Sequence, residues 1–106
     1  MTRLEKLQEF LKADPNDSFT RYAIGLEYLS MKNYPLAAES FEALITGDPG
    51  YVATYYQLAD CYRQMKQKEK AESTYKKGIL QARAAQDLHA ASELQMAMDE
   101  MEDEEE

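Results

Sequence analysis

The stretch "DPNDSFTRYAIGLEY", beginning at Asp14, returns in altered form as "DPGYVATYYQLADCY", beginning at Asp48. The Asp-Pro pair recurs after 34 residues, and Thr20/Thr54, Tyr22/Tyr56 and Tyr28/Tyr62 recur in the same register. A chain that repeats at this interval builds the same supersecondary unit more than once, because each copy can bury its apolar face only against a neighbour. That constraint reduces the possible folds to stacked arrays.

Between the punctuating residues every segment has the period of a helix, and no segment alternates as a strand does. Leu4, Leu7, Phe10 and Leu11 form one stripe in a helix over residues 2–12, before Asp14-Pro15. Asp17 and Ser18 are candidate caps for a second helix carrying Tyr22, Ile24, Gly25 and Tyr28. Asn33 is placed to cap a third, with Pro35 in a first turn where a missing N–H costs nothing. That helix presents Ala37, Phe41, Leu44 and Ile45 and stops at Gly47-Asp48-Pro49. A fourth, from about Tyr51 to Met65, carries Tyr55, Leu58, Ala59 and Tyr62. A fifth, from Lys68 to about Ala84, carries Ala71, Tyr75, Gly78 and Ile79. Asp87 can cap a sixth over 88–101 with Leu88, Ala91, Leu94, Met98 and Met101. The expected fold class is all-α, with about six antiparallel helices in one domain over residues 1–101.

The 34-residue pattern resembles the tetratricopeptide repeat, W-x2-L-G-x2-Y followed by A-x3-F and P. The first copy, residues 18–51, supplies Ile24, Gly25, Tyr28, Ala37, Phe41 and Pro49, with Arg21 at the Trp place. The second, residues 52–85, supplies Tyr55, Leu58, Ala59, Tyr62, Ala71 and Tyr75. Its Pro place holds Arg83, so the fifth helix should run longer than the third. The first helix matches the second half of a repeat, and the sixth matches a first half after a two-residue insertion. Gln95 takes the small-residue place of that last helix, which is therefore expected to pack loosely as a solubilising cap. The resemblance implies an α-solenoid of helical hairpins whose ligands lie in a concave groove.

Carried onto this sequence, the family's groove positions are Phe19, Tyr22, Leu26 and Leu29, then Ala53, Tyr56, Asp60 and Arg63, then His89, Ser92, Met96 and Asp99. The expected peptide-binding set is Phe19, Tyr22, Leu26, Leu29, Tyr56, Asp60, Arg63 and Met96. Four bulky apolar residues in a row on a face that packing does not need suggest a docking surface. The alternative is that this small groove closes on itself, or that Phe19 and Leu26 support neighbouring helices. The resemblance also suggests Tyr22, Leu26, Gln57, His89 and Glu93 at the places where chaperone-binding relatives clamp a C-terminal carboxylate. None is Lys or Arg, so that clamp is absent.

Composition narrows the alternatives. The net charge of −8 comes from the end: "DEMEDEEE" holds seven of the 20 acids, and the rest of the chain has 13 acids against 12 bases, a net of −1. No basic face suits nucleic acid, and residues 102–106 read as a solvated acidic tail whose deletion should leave stability unchanged or slightly raised. No apolar run approaches the roughly 20 residues that span a bilayer, and the N-terminus lacks the apolar core of a signal peptide. One cysteine allows no internal disulfide, so a reducing cytoplasmic setting is expected. Cys61 reads as a small buried hydrophobe, and His89 with Glu93 is a poor metal-ligand set. Lys66, Lys68, Lys70, Lys76 and Lys77 read as a solvated outer face. The expectations are a non-catalytic protein without cofactor, binding a peptide segment of a partner, or alternatively a homodimer formed through the groove or the Met-rich last helix.

Overall fold

The computed structural model describes residues 1–104, and the acids at 105 and 106 lie outside the described residues. Six helices follow one another: α1 (Arg3–Ala13), α2 (Ser18–Ser30), α3 (Tyr34–Gly47), α4 (Ala53–Gln64), α5 (Lys68–Ala84) and α6 (Leu88–Asp103). Each packs against the next, and α2, α4 and α6 form one layer of the stack with α2 touching α4 and α4 touching α6.

Local chemistry sets the helix ends. Thr2 and Glu5 form a reciprocal capping box at the start of α1, satisfying two backbone N–H groups. Asn33 accepts from the Leu36 N–H and Asp87 from the Ala90 N–H, as their positions suggested. Asp17 departs from expectation: it precedes α2, but its carboxylate takes the Thr20 hydroxyl at 2.5 Å and no backbone N–H. The two Asp-Pro pairs end α1 and α3, where Asp14 (φ −141°) and Asp48 (φ −147°) are forced out of helical conformation by the proline that follows. Helix α4 begins at Ala53, two residues later than its pattern suggested, and α6 runs past Met101 to Asp103.

The turns within each repeat are different. Lys32 and Lys66, one repeat apart, adopt φ near 60° and let the next N–H reach back to the helix: Asn33 N–H to Tyr28 O and Gln67 N–H to Tyr62 O. Gln86 does the same between α5 and α6, with Asp87 N–H bonded to Ala82 O at 2.8 Å. Without a proline to stop it, α5 reaches 17 residues against 14 for α3, and a tight turn replaces the Asp-Pro loop.

The core runs through α3, α4, α5 and α6. Ala37, Ala59, Ala71 and Ala82 are wholly buried, as are Phe41, Tyr75 and Leu94 to within 2%. Small residues are needed there because the helices approach closely. A methyl group on Gly25 would sit 2.3 Å from Phe41 Cε1, and one on Gly78 would sit 2.6 Å from Tyr55 Cβ. The expected looseness of α6 is not found. Ala91, Leu94, Ala97, Met98 and Met101 are all buried, while Gln95 turns aside and donates to Asp99 Oδ1. Leu88, placed in the same stripe by periodicity, is exposed instead.

Helix α1 buries no residue fully. Leu4, Leu7 and Leu11 are half-buried against α2, but Phe10, counted in their stripe, is 63% exposed. One repeat later the same place holds Leu44, which is 1% exposed because α3 packs on two neighbours whereas α1 packs on one.

The steric argument generates a paired prediction. Phe41→Ala should cost roughly 3–5 kcal/mol, as truncation of a buried aromatic does. Gly25→Ala should also destabilise, by roughly 1–3 kcal/mol from overpacking, although alanine favours a helix by about 1 kcal/mol over glycine. Urea midpoints check both, and a Gly25→Ala variant as stable as wild type would show that the two helices do not touch there.

Candidate functional site

On the layer made by α2, α4 and α6 lies an open groove of about 440 Å³. One wall is Tyr22 of α2 with Val52, Ala53, Tyr56 and Gln57 at the start of α4. Asp87, His89, Ala90, Glu93 and Leu94 from the start of α6 form the other. The groove therefore sits at the N-terminal ends of two helices rather than along their length, and the tight turn at Gln86 sets α6 beside it.

Of the eight residues expected on this face, the structure brings Tyr22 and Tyr56 together in the groove. They do different things there. Tyr22 is half-buried, its ring tilted against Phe41 (centroids 5.8 Å apart) and Tyr51 (5.5 Å), and its hydroxyl accepts from Gln57 Nε2 at 3.2 Å. It ties α2 to α3 and α4 as well as forming a wall. Tyr56 is 41% exposed, and its hydroxyl makes no hydrogen bond among the described residues.

The other six lie outside the cavity. Phe19 (66% exposed) and Leu26 (37%) stand on the open surface of α2, whereas Leu29 packs partly against the core. Met96 is 68% exposed on α6. Asp60 is half-buried one turn beyond Tyr56, where its charge helps raise the Cys61 and Tyr75 pKa values. Arg63 is engaged within the chain: its guanidinium donates to the Tyr75 hydroxyl at 3.4 Å and to the Glu104 carboxylate. Burial opposes the arginine's charge, but these two partners outweigh it and raise its pKa. Glu104, in the acidic end, remains largely exposed while it pairs with Arg63.

Val52, Asp87 and Ala90 were missed. They occupy helix starts, and only the distance between α4 and α6 makes them neighbours. Asp87 was recognisable as a cap, which is its local duty, and nothing in its spacing marks the second role.

Chemistry at the remaining candidates is quiet. Among the described residues no group of three His, Cys, Asp or Glu could hold a metal ion, and no helix is long and apolar enough to cross a membrane. His89 Nε2 lies 3.3 Å from Glu93 Oε1 on an exposed edge. Cys61 is fully buried, and burial, reinforced by Asp60, pushes its thiol up to about 12. The usual outer lysine face is partly paired: Lys76 meets Glu72 at 3.2 Å, and Lys70 stands over the Tyr62 ring.

Residues 28–102 match the tetratricopeptide repeat. A tetratricopeptide repeat domain protein from Salinibacter ruber, solved by NMR, is 42% identical, with 84% of this chain and 90% of that one aligned at a TM-score of 0.79. The TPR2B domain of yeast Sti1, in complex with pHsp70, superposes at a TM-score of 0.89 with 17% identity, over 95% of this chain and 81% of that one. The Yersinia enterocolitica type III secretion chaperone SycD, in complex with a peptide of the translocator YopD, gives 0.85 at 18% identity, over 97% and 79%. At such identities the last two speak to the fold alone. No curated protein matches the chain.

Two measurements test the local picture. Native protein at pH 7–9 should resist iodoacetamide, with Cys61 reacting only as the chain unfolds, because the thiolate is the nucleophile; ready labelling of folded protein would put the residue elsewhere. Because burial pushes the folded thiol up to about 12 from the ordinary 9.0, the stability it contributes is present below about 9 and is lost as pH rises toward 12. Glu104→Gln should lower stability by no more than about 1 kcal/mol at low salt, since the carboxylate is well exposed, and by less at 1 M salt. Thermal melts at both ionic strengths read this, and a loss well above about 1 kcal/mol, or one that grows with salt, would show that Glu104 does more than form an exposed ion pair with Arg63.

Proposed function

The chain belongs to the tetratricopeptide-repeat family, and we propose on that basis that it is a non-catalytic protein-interaction module that seats a segment of a partner protein in the groove between α2, α4 and α6. The observation that carries this reading is Tyr56. It stands 41% exposed on the groove wall, with broad apolar area and a free hydroxyl, beside a cavity that the chain leaves open. Tyrosine suits an interface because it freezes only two side-chain torsions and offers both apolar and polar contact. Phe19 and Leu26, outside the cavity on either side of Tyr22 along α2, add exposed apolar surface. Protein complexes recur among the superposable structures, those with pHsp70 and with a translocator peptide included, and they support a protein ligand as the class to test.

The family's carboxylate clamp supplies no alternative here. The groove wall has neither lysine nor arginine, and Arg63 is held by Glu104 and Tyr75. The ligand is accordingly an internal or apolar segment rather than an acidic C-terminus.

Tyr56→Ala is the clean test, since Tyr22 also packs against Phe41 and Tyr51 and its loss would disturb the fold. The variant should keep its helical circular dichroism and melt close to wild type. Its affinity for a bound segment should fall by roughly thirtyfold, corresponding to about 2 kcal/mol for an interface anchor. Unchanged affinity, measured by fluorescence polarisation, would exclude this groove as the binding surface.

A further inference from the structure

The two walls of the groove differ in charge. On the α2 and α4 side stand Tyr22, Val52 and Tyr56, which carry no formal charge. The α6 side presents Asp87 and Glu93. Asp87 Oδ1 accepts the Ala90 N–H, and Glu93 Oε1 lies 3.3 Å from the Nε2 of His89 on the same wall, so each acid keeps a second oxygen without a partner among the described residues. No lysine or arginine lines the cavity. The arginine nearest to it along the α4 face, Arg63, is neutralised by the chain's own Glu104. Two acids on one wall of an open groove whose other wall carries no formal charge favour a cation whose neighbour is apolar, because the low-dielectric surface strengthens the charge contact while the anchor removes water.

We propose that the groove selects a partner segment in which a lysine or arginine lies within about one helical turn of an aromatic or aliphatic anchor, the anchor resting on Tyr56 and Val52 and the cation meeting Glu93 and Asp87. The inference rests on the groove being the binding surface and goes beyond it by naming the charge of the ligand. The arrangement also excludes acidic segments, since like charge across an interface costs affinity.

The test uses the full chain and a phage-displayed library of random dodecapeptides. Selection on wild type with counter-selection on Tyr56→Ala should enrich peptides that pair a basic residue with an apolar one. A synthetic copy of the strongest such peptide should lose affinity by about fivefold on Glu93→Gln, and its binding should weaken with salt, as exposed charge pairs do. Asp87→Asn should weaken it too without loss of helix, because asparagine caps as well as aspartate. Peptides that depend on Tyr56 but are neutral or acidic, or that ignore both substitutions, would overturn the charge assignment and leave the groove standing. Peptides indifferent to Tyr56→Ala, or no enrichment at all, would overturn the groove and the assignment with it.

Discussion

Two side chains reduced to hydrogen hold this architecture together. At Gly25 the Phe41 ring lies where a methyl group would be, and at Gly78 the Tyr55 Cβ does the same from the neighbouring helix. Aromatic mass thus fills the space that a side chain on the partner helix would otherwise need, and Ala37, Ala59, Ala71 and Ala82 extend the rule along the stack. Close-packed interiors tolerate little change of volume, so helix spacing follows from these positions. A groove with walls of fixed separation depends on that spacing.

Charge is organised with similar economy. Helix α6 continues to Asp103, and Glu104 just beyond it pairs with Arg63 near the C-terminal end of α4. One contact therefore gives α6 a second tether and removes from the concave face the cation best suited to an anionic ligand. What is left on that face is aromatic on one side and acidic on the other.

The repeats are not equivalent. Thr20 gives its hydroxyl to Asp17, whereas the hydroxyl of Thr54, one repeat later and wholly buried, has no partner among the described residues because Tyr51 stands where an aspartate would be. Tyr51 packs on Tyr22 instead, and burial raises its pKa, with Tyr22, Asp17 and Asp48 adding to the effect. A satisfied hydroxyl in the first repeat has been exchanged for an aromatic contact in the second, and that contact shapes the wall of the groove.

The sequence alone determined the six helices, their order and most of the buried stripe, because periodicity, caps and Asp-Pro stops are local and recur every 34 residues. Phe41, Tyr55 and Tyr75 were legible as core for that reason, and Cys61 as an inert thiol. Tertiary structure decided everything that turns on distance between helices. Phe10 follows the apolar period yet stays exposed, since burial requires a second neighbour that α1 does not have. Arg63 occupies a concave position by spacing, but a carboxylate 41 residues away claims it. Tyr22 and Tyr56 share a repeat position, and one became a packing residue while the other remained open, because their neighbours differ. Periodicity says which way a side chain points; what it meets there is set by the other helices.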